Sequence, residues 1–187
     1  MKFLKRLVIT LFILGGLFYF VGVPYLQKQT KKYSPEKTAT HTFDNAKLSV
    51  NYSSPSKKNR IIFGELVPFG QVWRTGANEP TTFTNSAQID IIDKKLPAGT
   101  YSLWTVPGKE SWKIIFNKEV PDWGVTLLSG GSETTRNPKE DAVTVEVPAR
   151  TIGTPVEQFT IDFKNNENQL YLNLLWDTVS INVPINK

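Results

Sequence analysis

The stretch Trp73-Arg74-Thr75-Gly76-Ala77-Asn78-Glu79 gathers the densest recognition chemistry in this chain. Tryptophan offers a flat apolar face, and arginine a planar fork of donors that matches a carboxylate. Asparagine supplies donors and an acceptor together. Gly76 lets the backbone approach a ligand closely or take a positive φ. Such a set suits a sugar or a carboxylate. The candidate ligand-binding residues are therefore Arg60, Trp73, Arg74, Thr75, Asn78, Glu79, Asp122 and Trp123. The competing reading is structural: Arg74 or Arg60 pairs with Glu79 or Asp122 to pin a long loop, and Trp73 belongs to the core.

Catalytic arrangements are poorly supported. The chain has no cysteine, which excludes disulfides, thiolate zinc sites, cysteine nucleophiles and a lipid-bearing cysteine. His41 is its one histidine, so no multi-histidine metal site can be built. Ser54-Pro55-Ser56-Lys57 fits an S-x-x-K pattern, but that serine should open a helix and here it follows a strand. Glu79, Asp122, Glu140 and Asp141 offer carboxylates, yet no spacing singles out a glycosidase pair. Asp90 and Asp93 flank a strand without an oxygen-rich calcium loop. No catalytic residue, metal ligand or cofactor is assigned.

Those residues need elements to hold them. Leu7 to Leu26 is uncharged, and its 20 residues reach across a hydrocarbon core of roughly 30 Å as a helix. Tyr19 and Tyr25 lie toward its C-terminal end, where aromatic rings favour the interface. No A-x-A-like cleavage site precedes Lys28, so residues 1–26 read as an uncleaved anchor that engages the lipid bilayer through residues 7–26. A very short basic N-terminus favours the cytoplasmic side and places the remainder of the chain outside the cell. Residues 27–45 read as a polar tether, and 46–187 as the domain.

Charge obeys this division. Residues 1–37 carry a balance of +6, whereas the rest of the chain carries −1. The basic residues flank the apolar segment, where anionic headgroups lie, and the near-neutral domain has no attraction for nucleic acid.

The domain has hydrophobic period two. Leu48, Val50 and Tyr52 alternate with polar residues, as do Phe159, Ile161 and Phe163. Leu170, Leu172, Leu174 and Trp176 line one face, then Val179, Ile181, Val183 and Ile185 another, which predicts a hairpin at Asp177-Thr178. Asn165 to Asn168 predicts the preceding turn. Thr81–Thr84, Gln88–Ile92, Thr100–Val106 and Ser111–Asn117 complete a set of nine or ten short strands. This is an all-β chain, an antiparallel β-sandwich-like domain preceded by a single N-terminal transmembrane helix. Most tryptophans in such a domain are core, Trp176 above all, with Trp123 the best placed for partial exposure. Residues 54–80 and 124–141 escape the pattern and predict long loops, where binding residues gather.

The block Arg60-Ile61-Ile62-Phe63-Gly64, then Val67-Pro68-Phe69-Gly70, Val72 through Glu79, Leu96 through Leu103, Pro107-Gly108, Trp112 and Asn117-Lys118 resembles the bacterial domain of unknown function 2911. The resemblance covers about residues 46–185. It implies an envelope or secreted protein and carries no agreed substrate, cofactor or catalytic residue. It also leads us to expect an arginine after Asp141-Ala142-Val143, where this chain has Thr144. The expectation is a membrane-anchored extracytoplasmic domain of the bacterial cell envelope that binds a ligand or serves as an accessory module. An envelope glycan, a small carboxylate or a membrane protein is the expected partner class. The alternatives are a scaffold that docks another membrane protein, or an envelope hydrolase with a carboxylate or serine–lysine site.

Overall fold

The computed structural model describes residues 2–126, 129, 133–166 and 169–186. The chain separates into two compact units, Met1–Tyr33 and Ser34–Lys187.

The first unit is one helical run, Lys2–Tyr33, long and apolar enough to cross a membrane. It consists of α1 (Lys2–Leu17), a π turn (Phe18–Gly22) and α2 (Val23–Tyr33). The π turn has a local cause. Pro24 has no N–H for the carbonyl of Phe20 and its ring would crowd that oxygen. The chain widens one turn earlier, with Val23 N–H donating to Phe18 O.

In the second unit every pair of strands is antiparallel. Its strands are β1 (Glu36–Phe43), β2 (Ala46–Ser53), β3 (Thr81–Asn85), β4 (Ile89–Ile91) and β5 (Lys94–Leu96). They are followed by β6 (Gly99–Pro107), β7 (Ser111–Asn117), β8 (Asp141–Asn166) and β9 (Gln169–Asn186). The order across the sheet is β1-β2-β3-β6-β7-β8-β9-β4-β5. The 26-residue β8 makes the sandwich. Its first part pairs with β7 through Pro148, and from Ala149 onward it pairs with β9. The two halves thus face each other across one core, where Tyr52 meets Phe159 at 5.8 Å and Phe83 meets Phe163 at 6.5 Å.

Two sequence expectations change. Residues 27–45, expected as a polar tether, carry α2 to Tyr33 and then β1. The inward positions of β1 are Lys37, Ala39, His41 and Phe43, of which only the last is strongly apolar, too weak an alternation to register as a strand, yet Asp44 and Asn45 at φ 51° and 71° form the two-residue turn that folds β1 onto β2. No hairpin forms at Asp177-Thr178, because β9 runs continuously through it. The buried apolar positions switch from even numbers (Leu170 to Trp176) to odd ones (Ile181 to Ile185). A turn or a bend can produce that slip, and a bend with Asp177 at φ 51° does so here, opposite register shifts in β8. The short β5 had no sequence signal.

Among the described residues, 54–80 holds only isolated bridges, and 124–141 a bridge and one 3₁₀ turn at Pro138–Glu140 before β8 begins. Residues 127, 128 and 130–132 of the second stretch lie outside the described residues, as do Glu167 and Asn168 of the expected turn.

Candidate functional site

The Trp73 block is a graft onto the end of β3. That strand stops at Thr81, opposite Leu103, and two residues further along β6 Trp73 takes over the ladder. Trp73 N–H donates to Thr105 O at 2.7 Å, and Thr105 N–H returns to Trp73 O at 3.0 Å. Extended backbone alternates its side chains. Trp73 therefore turns inward and Arg74 the other way, and Thr75, where the extended run ends, is buried as well.

The inward side is a packed aromatic cluster. The Trp73 ring lies 5.0 Å from Phe159, 5.9 Å from Trp176 and 6.1 Å from Trp112, with Phe63 4.9 Å from Trp112. Its Nε1 donates to Gly76 O at 3.0 Å. Thr75 is fully buried at φ 57°, an unusual conformation for a β-branched residue. Tertiary bonds hold it there: its Oγ1 donates to Thr105 Oγ1, and its carbonyl accepts from Thr81 Oγ1 at 2.6 Å. Gly76, at φ 152°, lies so close to β2 that a Cβ would sit 2.8 Å from Ser53 O.

The outward side is a cleft of about 250 Å³. Leu66, Val67, Pro68, Val72 and Val125 supply apolar wall, while Gln71, Arg74 and Thr134 supply polar groups, and Trp73 borders it. Val125 and Thr134 are bridged to each other, and Gly124 N–H donates to Asn78 O at 3.1 Å, which brings the second long loop against the first. Gly124 is needed at this contact, because a Cβ there would collide with the Arg74 side chain.

Arg74 has no carboxylate acting on it among the described residues, and burial is the one cause that moves its pKa, pulling it down from the ordinary value. The ion pairs Lys57–Asp177, Lys95–Asp90 and Arg136–Asp141 use other residues. The Nε of Arg74 is shielded from solvent without a hydrogen-bond partner, and so is Nδ2 of Asn78. Arginine keeps its proton all the same, so one donor of a charged group is sealed off without a partner.

The other candidates scatter. Arg60 does not line the cleft; it donates to Lys57 O at 3.0 Å and Ser56 O at 2.6 Å, closing its own turn. Glu79 is half-buried and Asp122 exposed. Trp123 is half-buried and contributes its carbonyl as acceptor for Thr135 Oγ1. The serine–lysine pair is not assembled: Ser54 Oγ is buried and donates to Phe159 O at 2.7 Å, while Lys57 is bound to Asp177. Among the carboxylates, Asp141 is engaged by Arg136 and by Asn117. No group of three or more His, Cys, Asp or Glu that could hold a metal occurs among the described residues. Sequence reasoning missed Gln71, Gly124, Val125 and Thr134. Their signal was the two unpatterned loops, which the fold brings together.

Residues 34–185 match a family described as protein of unknown function, DUF2911. The chain belongs to the DUF2911 family. No curated protein and no solved structure matches it. Trp73, Arg74 and Asn78 all lie inside the matched span, so the cleft is part of the DUF2911 domain rather than an addition to it. Thr144, the departure from the expected arginine, lies elsewhere. Its carbonyl accepts from Lys94 Nζ at 2.7 Å, and it borders a separate groove with Lys113 and Glu146.

Proposed function

We propose that this DUF2911 protein is a membrane-tethered module of the bacterial cell envelope, its domain extracytoplasmic, which binds a small anionic ligand at Arg74. The observation that carries this reading is a half-buried guanidinium lining a cleft, its Nε sealed from solvent without a hydrogen-bond partner and with no carboxylate acting on it among the described residues. An internal ion pair would have favoured a purely structural arginine, and the neighbouring groups do not supply one. The strained backbone at Thr75 and Asn78, φ 57° and 60°, supports it too. Such conformations persist only where surrounding contacts enforce them, and they cluster at ligand sites.

Thermal unfolding of the domain in the presence of small carboxylates, phosphate and anionic sugars tests the reading. Ligand at a hundredfold its Kd adds about 2.7 kcal/mol. That gain should vanish in Arg74→Gln with the domain still folded. Stabilisation by no anion of any class would remove the proposal and leave Arg74 a structural residue.

A second reading has one observation in its favour. Beyond Tyr33, the exposed large apolar side chains among the described residues are Ile61, Leu66, Phe69 and Val120, and three of these share one loop. A scaffold role would use that loop as a docking face, and co-purification of a stoichiometric membrane-protein partner would favour it.

A further inference from the structure

The walls of the Arg74 cleft say more about the ligand than its charge, granted the anion-binding reading above. We infer that the ligand is an aliphatic monocarboxylate, its carboxylate on the Arg74 guanidinium and its hydrocarbon body along Leu66, Pro68, Val72 and Val125.

Three observations converge. First, among the described residues the cleft lining contains one cation and no second basic group. A dianionic phosphate would keep an uncompensated charge there, whereas a single guanidinium matches a carboxylate in charge and in fork geometry. The polar remainder is one amide and one hydroxyl, Gln71 and Thr134, too few to serve the many hydroxyls of a sugar. Second, apart from Trp73 the remaining described side chains of the wall are aliphatic, and a hydrocarbon chain gains by lying against them. Third, that apolar wall does not end at the rim. Leu66 lines the cleft and is 45% exposed; its N–H donates to Ile61 O, and Ile61 is itself 60% exposed. Phe69, next to Pro68, packs over Gly64 and is also exposed. An alkyl chain leaving the cleft would cover this surface. One ligand thus accounts for both the unpartnered charge and the concentration of exposed apolar residues on a single loop.

Size is bounded as well. A volume of about 250 Å³ corresponds to roughly eight water-sized groups. A carboxylate with five or six carbons fills it, and a longer chain runs out over Leu66.

The test is a chain-length series on residues 34–187, which carry every buried apolar side chain of the protein among the described residues and so have a complete core of their own. Acetate, butyrate, hexanoate and octanoate are titrated by calorimetry, with hexanol and hexyl phosphate as comparisons. Affinity should rise by about fourfold for each methylene that enters the cleft. Hexanol and hexyl phosphate should bind at least tenfold more weakly than hexanoate. Leu66→Asn should flatten the chain-length slope, and Arg74→Gln should abolish carboxylate binding. Equal affinity along the series overturns the aliphatic assignment while the anion reading stands. Tighter binding of hexyl phosphate overturns the carboxylate assignment. Hexanol binding as tightly as hexanoate, or no binding by any member, overturns both.

Discussion

Arg74 shows what its side chain is for by what it lacks. A donor sealed from water without a partner costs about 1–3 kcal/mol, so the Nε of Arg74 burdens the unliganded domain. Replacing it by the similarly shaped but apolar Met should therefore raise the unliganded domain's stability, by about 1 kcal/mol, while abolishing anion binding. Urea denaturation of Arg74→Met reads this directly. A loss of about 2 kcal/mol or more would identify the arginine as a structural clamp. Gly124 reports on the same contact from the other side. A Cβ at that position meets the Arg74 side chain and lies 3.0 Å from Asn78 O, so Gly124→Ala should cost about 1–3 kcal/mol as the loops separate. Equal stability of Gly124→Ala and the parent would show that the two loops are not held through this residue.

At the level of elements, the site exists because a loop substitutes for a strand. β3 is only five residues long, and Trp73 occupies the ladder position beyond its Thr81 end. Gly76 then brings the chain against Ser53 of β2 in a conformation that combines positive φ with no room for a Cβ. Gly76→Ala should accordingly destabilise the domain by about 3 kcal/mol, more than Ala at an ordinary loop position. Thermal melts of Gly76→Ala and Gly70→Ala make the comparison, because Gly70 has a positive φ too but open space around it. Indistinguishable melting temperatures would refute the close-approach argument. These elements also define what was readable beforehand. β2 was legible since large apolar residues alternate with polar ones along it, and β3, β6 and β7 since β-branched and aromatic residues fill short runs between turns. β1 was not, because threonines alternate there with Lys37, Ala39 and His41, and only Phe43 at its end is strongly apolar. The continuity of β9 was hidden by a one-residue slip that a bend and a turn would write identically. The Trp73 block was legible as chemistry, but its partners were not. Gln71, Val125 and Thr134 carry no motif, and only the meeting of two loops far apart in the chain makes them a wall.

The molecule as a whole joins an apolar helix to a domain whose energetics are its own. All buried apolar side chains among the described residues lie from Ala46 to Ile185, so removing residues 1–33 should leave the domain's unfolding free energy within about 0.5 kcal/mol. Matched urea titrations of the full chain in detergent and of residues 34–187 would expose any larger coupling. Two buried phenols contribute to the domain's response to alkaline pH. Burial raises the pKa of Tyr52 above its ordinary value, with Ile161 N–H pulling it down and Asp162 pushing it up; burial alone raises Tyr101. In the unfolded chain both titrate near 10. The native state therefore retains protons that the unfolded state releases once the pH exceeds about 10. Stability from these groups is complete below that value and falls as pH rises through the native pKa values. The limiting slope is about 1.4 kcal/mol per pH unit for each proton retained. Tyr52, only 4% exposed, lies edge-on to Phe159 in the cluster that also holds Trp73, so its ionisation weakens the floor beneath the Arg74 loop. Tyr52→Phe removes that titration and should flatten the decline in urea midpoint between about pH 9.5 and 11 relative to the parent, whatever its offset at neutral pH. Parallel profiles for the two proteins would mean that alkaline unfolding begins elsewhere. A flattened one would show that the aromatic floor of the cleft is where the domain first yields to base.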